Sequence, residues 1–133
     1  MPAPTALPNL PSTEPTLRAI AMPSDSNPQG DIFGGWLLSQ MDLAGNTLAT
    51  RRAKGRTVTV AITGMTFEHP VFIGDEVTCF GEIIKTGTTS ITIKVDSWVR
   101  RGFGGECIIV TTGIFTYVAV DADRKPRPLP PVD

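Results

Sequence analysis

The residues of this 133-residue chain best suited to chemistry lie between Ser24 and Ala49, in the run SDSNPQGDIFGGWLLSQMDLAGNTLA. Asp42 is a carboxylate among apolar and small neighbours, where a charge is costly to desolvate unless something pairs or uses it. Gly34 and Gly35 precede it at the start of an apolar helical pattern. A helix start carries backbone N–H groups without intrahelical partners, and glycine lets a ligand oxygen come close to them. Asn27 belongs to the polar turn just before. Together they suit a reaction at an acyl carbonyl. Such a reaction needs a base or nucleophile, an oxyanion binder and a group that orients water or substrate. Spacing adds a constraint. Gly35 and Asp42 share a helix face but lie about 10 Å apart along its axis, whereas catalytic hydrogen bonds reach about 3 Å. The Asp side chain leans back toward the helix N-terminus and recovers only part of that gap. Asp42 of one chain and the glycines of another, on antiparallel helices, serve one carbonyl more easily. Each residue also has a plainer reading: a structural ion pair for Asp42, close packing for the glycines, an Asx turn for Asn27.

The elements that must position these residues follow from periodicity. A short strand is expected at Leu17–Met22, a turn over Ser24–Gly30, and a helix over Gly34–Ala53 that is apolar nearly all round and therefore buried. Gly45 lies mid-helix, where it costs about 1 kcal/mol relative to Ala, so a close contact is expected there. Arg51, Arg52 and Lys54 suit the C-terminal end, with Gly55 as cap. Strands are expected at Thr57–Thr66, Glu76–Lys85, Ser90–Arg101 and Cys107–Val120. The third of these alternates, with Ile91, Ile93, Val95 and Val99 on one face. The last is apolar on both faces, as a central strand would be. The fold class is α+β: one long helix wrapped by antiparallel strands, with a second subunit covering what one sheet leaves exposed.

Prolines mark the ends. Pro2, Pro4, Pro8, Pro11 and Pro15 crowd the N-terminus, and Pro126, Pro128, Pro130 and Pro131 the C-terminus, out of twelve prolines in all. Residues 1–16 and 124–133 therefore read as Pro-rich flexible tails around one domain over 17–123. The net charge of −1 argues against nucleic acid as a partner. Nothing resembles a membrane span or a secretory signal. Cys79 and Cys107 are far apart and lack a C-x-x-C pattern, so buried thiols in a cytoplasmic protein are expected, with no metal or redox cofactor.

Ser24-Asp25-Ser26-Asn27, Gly30-Asp31-Ile32-Phe33-Gly34-Gly35-Trp36 and Ser39-Gln40-Met41-Asp42 closely resemble the YciA-type acyl-CoA thioesterases of the hotdog superfamily. The resemblance continues through Val58-Thr59-Val60-Ala61, Met65-Thr66-Phe67, Pro70, Gly74-Asp75 and Phe115-Thr116-Tyr117-Val118-Ala119-Val120. It implies a hotdog fold, in which a five-stranded antiparallel sheet wraps the helix and two copies join edge to edge as a double hotdog. It also implies a trimer of such dimers, with active sites at the dimer interface. Asp42 is then general base or nucleophile, Asn27 positions water or substrate, and the Gly34 and Gly35 amides bind the thioester oxygen. Asn46 departs from the family, which tends to carry Gly or a small residue there; it stands one turn after Asp42 on the same face and is a candidate substrate-binding residue, to meet the acyl group or water. The implied substrate is an acyl-CoA, hydrolysed to fatty acid and coenzyme A. Candidates for the CoA phosphates are Arg56, Lys85, Arg100, Arg101 and the turn Gly87-Thr88-Thr89-Ser90, with Arg51, Arg52 and Lys54 more simply helix-dipole partners. The turn is equally an ordinary hairpin. His69, the single histidine, lies away from the helix motif and reads as a bystander, which disfavours a hotdog dehydratase or a Ser-His-Asp hydrolase. The alternative is a non-catalytic acyl-CoA-binding hotdog protein, a sensor or carrier.

Overall fold

Helix α1 runs from Gly34 to Ala53 in the computed structural model, which describes residues 14–102 and 104–132. Leu37, Met41, Ala44, Gly45, Ala49 and Ala53 are buried, at the three- and four-residue spacing of one helix face. That face packs on five strands: β1 (Leu17–Ile20), β2 (Thr57–Phe67), β3 (Glu76–Thr86), β4 (Ser90–Arg100) and β5 (Cys107–Ala119). They form one sheet in the order β1-β3-β4-β5-β2, antiparallel throughout. This is the expected hotdog architecture. The core joins α1 to Val77, Ile91, Ile93, Val95, Phe115 and Tyr117. Each large side chain buried there contributes about 1.5–3 kcal/mol. Cys79 lies in the same core, and burial pushes its thiol up to about 11. No helix among the described residues is long and apolar enough to cross a membrane.

The middle strand is β4, not β5. β5 is an interior strand between β4 and β2, and it buries alternate residues rather than both faces. β2 is an edge strand, bulged between Thr59 and Ala61 and between Thr63 and Thr66. Its residues Val60 and Ile62 are exposed, as is Leu43 on the outer side of α1.

The helix C-terminus differs from expectation. Lys54, at φ 54°, takes the left-handed position, and its N–H bonds back to the last turn. Gly55 instead leaves room for the end of a neighbouring side chain. A Cβ there would lie 2.6 Å from Nη2 of Arg127.

Arg127 also corrects the expected C-terminal tail. Residues 126–130 are not free but lie along the domain. Arg127 donates from Nη2 to the Ala53 carbonyl (2.8 Å), from Nε to the Val120 carbonyl (3.2 Å) and from its backbone to Ala119 (2.9 Å). The Leu129 N–H donates to Thr88 (2.8 Å), its side chain packs on the core, and Arg52 donates to the Pro130 carbonyl (2.6 Å). In Pro-Arg-Pro-Leu-Pro only Arg127 and Leu129 carry backbone N–H groups, and both are bonded. Proline here stiffens a docked strap. At the other end the expected tail is shorter than 1–16. The Thr16 N–H donates to Cys79 (2.9 Å), and its hydroxyl accepts from the Gly81 N–H (3.2 Å). Residues 1–13 lie outside the described residues.

Arg127→Ala removes charge-assisted bonds to two backbone carbonyls, each bond worth about 1.5–3 kcal/mol. Thermal denaturation should show a melting point lower by several degrees, whereas an unchanged one would mean that the strap is held elsewhere.

Candidate active site

The turn before α1 is closed by Asn27. Its Oδ1 accepts from the N–H groups of Gln29 (3.0 Å) and Asp31 (3.0 Å), and its carbonyl accepts from Gly30 (3.0 Å). The Asx turn is therefore present, and the side-chain amide N–H groups donate to no described residue. Phe33 leads into the helix without a side-chain cap. The Trp36 and Leu37 N–H groups both reach the Phe33 carbonyl, at 3.1 and 3.3 Å. The Gly34 and Gly35 N–H groups, first in the helix, have no acceptor among the described residues.

Asp42 is only half-buried, and no basic residue pairs with it among the described residues. Two hydroxyls hold it instead. Thr59 donates to Oδ1 at 2.8 Å. The Tyr117 hydroxyl lies 2.9 Å from both Oδ1 and the Asp42 carbonyl oxygen, and donates to this pair. Thr59 and Tyr117 are partners across β2 and β5, so their side chains stand on one face. Burial, then the bond to Asp42 and its charge, push the Tyr117 proton affinity far above the usual tyrosine range. The phenol thus stays a donor at any working pH. Gly45 explains the approach. A Cβ there would strike the Tyr117 hydroxyl and come within 3.0 Å of the ring Cζ. The close contact expected at Gly45 is this tyrosine. One turn further, Thr57 donates to Asn46 Oδ1, so Asn46 ties the helix to the start of β2.

Gly34 opens on a cavity of about 330 Å³ lined by Ile32, Phe33, Leu37, Phe67, Pro70 and Val71, with Glu68 and His69 at its polar side. His69 was expected to stand apart from the helix motif, yet it follows the end of β2 and lines the same cavity as Gly34. Phe67, Thr59 and Tyr117 were also missed. Their signal was faint: apolar and hydroxyl residues in alternating strands, and one tyrosine opposite an unexplained helical glycine.

The candidate CoA residues separate. Arg56, Lys85 and the Gly87-Thr88-Thr89-Ser90 turn lie where Ser90 pairs with Val118 and Thr57 with Ala119. The turn is indeed the β3–β4 hairpin, and the carbonyls of Thr88 and Thr89 accept from Leu129 and Ala119. Arg100 and Arg101 lie at the opposite end of the sheet, where Arg100 pairs with Cys107. Arg100 bonds Glu76 at 3.0 Å. Arg101 bonds the buried Asp75 at 3.1 Å and the Pro70 carbonyl at 2.7 Å, and stacks on Phe72. Those two guanidinium groups are engaged within the chain.

The thioesterase superfamily model matches residues 29–102. Over 129 residues the chain is 51% identical to the acyl-CoA thioester hydrolase YciA of Salmonella typhimurium, covering 95% of this chain and 97% of that one. The chain belongs to the acyl-CoA thioester hydrolases of the thioesterase superfamily. Solved structures agree. A hexameric thioesterase of Yersinia pestis superposes with a TM-score of 0.87 at 52% identity, over 92% of this chain and all of that one (100%). A hexameric hotdog fold thioesterase of Campylobacter jejuni gives 0.84 at 44% identity, over 89% and 91%.

For a thioester hydrolase the Gly45–Tyr117 contact has a measurable consequence. Glycine to alanine in a helix interior ordinarily stabilises by up to about 1 kcal/mol. Gly45→Ala here should instead destabilise by about 1–3 kcal/mol, the cost of overpacking, and lower thioesterase turnover as Tyr117 leaves Asp42. A stabilised and fully active variant would contradict the contact.

Proposed function

We propose that the protein hydrolyses acyl-CoA to free fatty acid and coenzyme A, with Asp42 and the Gly34/Gly35 amides meeting at a subunit interface. The observation that carries this is Asp42 itself. Among the described residues, two neutral hydroxyls fix Oδ1, no cation pairs with the carboxylate, and Oδ2 has no partner. That oxygen is available to a water or to the carbonyl carbon. The free Gly34 and Gly35 amides supply donors for the oxyanion. As general base, Asp42 takes a proton from water while the water oxygen bonds to the carbonyl carbon. The tetrahedral oxyanion then collapses, the C–S bond breaks, and the CoA thiolate leaves with the proton. As nucleophile, Asp42 bonds the carbonyl carbon first, the C–S bond breaks as the CoA thiolate leaves, and water then cleaves the resulting anhydride to the fatty acid and the regenerated carboxylate, the released proton going to the thiolate. Asn27, through its side-chain N–H groups, orients the water or the substrate. Thr59 and Tyr117 are positioning residues. Neither route needs a group beyond the protein and water.

A second copy of the chain completes the site. In one chain Asp42 sits beside Thr59 near the start of β2, while Gly34 sits beside Phe67 at its end. Gly34 and Asp42 are about 12 Å apart along the helix axis, too far for one carbonyl. The unpaired edge of β2, with exposed Val60 and Ile62, suits antiparallel pairing with its own copy. Two helices then run side by side, and the Asp42 of each approaches the glycines of the other. The Yersinia and Campylobacter relatives are hexamers. A trimer of these dimers is the corresponding assembly here. Arg56, Lys85 and the 87–90 turn are exposed or partly so and suit the CoA phosphates better than Arg100 and Arg101, which hold internal ion pairs.

Thiol release from an acyl-CoA panel tests the activity. Asp42→Ala and Asp42→Asn should each lower kcat by at least about a hundredfold, as for a lost general base, with the assembly unchanged. Near-wild-type turnover in a folded variant would refute the assignment. Acyl-CoA binding without turnover by the wild type would instead identify the sensor or carrier.

A further inference from the structure

We infer that the buried Asp75–Arg101 pair is a positioning device for the half of the site that carries Asn27 and the Gly34 and Gly35 amides. The inference rests on the divided site proposed above. Asp75 is a carboxylate at 3% exposure, a place that is costly for a charge without a partner. Its partner is Arg101, just beyond the end of β4, whose Nε donates to Oδ1 and Oδ2 at 3.2 and 3.1 Å. Oδ2 also accepts from the Phe72 N–H at 2.8 Å. With the other side of its fork, Arg101 donates through Nη2 to the Pro70 carbonyl at 2.7 Å. Its Cζ stands 4.3 Å from the centre of the Phe72 ring. One guanidinium therefore grips both ends of loop 70–75 and its middle.

That loop carries the approach to the helix. The Val71 carbonyl accepts from the Ile32 N–H at 3.1 Å, and Phe72 pairs with Asp31 as an antiparallel bridge. Asp31 is tied in turn to Asn27. The Asn27 N–H donates to the Asp31 carbonyl at 2.6 Å, and the Asp31 N–H donates to Asn27 Oδ1 at 3.0 Å. Gly34 follows two residues after Ile32. A shift of loop 70–75 thus reaches Asn27 and the helix-start amides together. Asp42 has separate supports, Thr59 on β2 and Tyr117 on β5. Releasing the loop therefore moves one half of the site against the other, and a misplacement of about 1 Å can cost on the order of a hundredfold in rate. The CoA-phosphate candidates Arg56, Lys85 and turn 87–90 lie at the opposite end of the sheet. The loss falls on kcat rather than on KM.

Arg101→Lys keeps a charge opposite Asp75, but a single ammonium replaces the fork that also reaches Pro70 and Phe72. Turnover is followed as thiol release from the acyl-CoA that the wild type hydrolyses fastest. In Arg101→Lys kcat should fall at least about tenfold while KM stays within about twofold, with the assembly intact. The double variant Asp75→Asn/Arg101→Gln removes both charges, so that neither is left buried and unpaired, and should show the same split. Either variant suffices if the other fails to fold. Each is then unfolded and refolded with Asp42→Asn and, separately, with Asn27→Asp. Mixed with Asp42→Asn, half of the dimers hold one intact site, and activity should return to roughly a quarter of wild type. Mixed with Asn27→Asp, every site keeps a defect in its Asn27 half, and nothing returns. A general loss of folded protein would make no such distinction. Wild-type kcat in both variants, a raised KM at unchanged kcat, or equal recovery with the two partners would overturn the inference. Mixing Asn27→Asp with Asp42→Asn separates the two readings. Recovery there, but none for the Arg101 variants with Asp42→Asn, would overturn the inference alone. No recovery there would overturn the divided site and the inference with it.

Discussion

The hydroxyl of Tyr117 against Asp42 sets how α1 can lie on its sheet. A tyrosine fully buried in the core needs a partner for its hydroxyl. Here the partners are the carbonyl and the carboxylate of one helical residue, each 2.9 Å away. The helix can come that close only because residue 45 has no side chain. One contact therefore fixes the rotation of the helix, its distance from β5 and the orientation of the acid. Stability and the proposed chemistry depend on the same few atoms.

From that placement the rest of the site follows. Thr59, across the ladder from Tyr117, takes its position on Asp42 from the pairing of β2 with β5. Thr57, two residues earlier, meets Asn46, one helical turn later. The two contacts dock the helix along the first third of the edge strand. The far end of that strand brings Phe67 against Gly34 and places His69 and Glu68 by the cavity. A single chain thus holds its acid at one end of β2 and its free amides at the other.

Much of this was legible in the chain. The bounds of α1, Gly34 and Ala53, coincide with the expected ones because glycines and basic residues mark both ends. The strands match within a residue or two because alternation and turn residues delimit them. Strand order was not legible, since local pattern does not say that β4 rather than β5 is the middle. The left-handed position falls on Lys54 rather than on the glycine that follows it, which residue type alone did not indicate. The C-terminal strap was hidden by composition. Proline content alone does not reveal that alternate residues carry the bonds. His69 was set aside because its distance from the motif was judged along the sequence, not across the sheet.

The proposed reaction needs a site divided between two subunits, and subunit mixing tests that division most directly. Asn27→Asp keeps the Asx turn while replacing the side-chain N–H donors, and Asp42→Asn removes the proposed base or nucleophile. The two variants, each shown to be impaired alone, are unfolded and refolded together, with exchange confirmed by mass. In a mixed dimer with divided sites, one site carries both defects and the other carries neither. Random pairing makes half of the dimers mixed, so activity should recover to roughly a quarter of wild type. Recovery no greater than the average of the two parents would contradict the divided site and place Asn27 and Asp42 in one site of one chain.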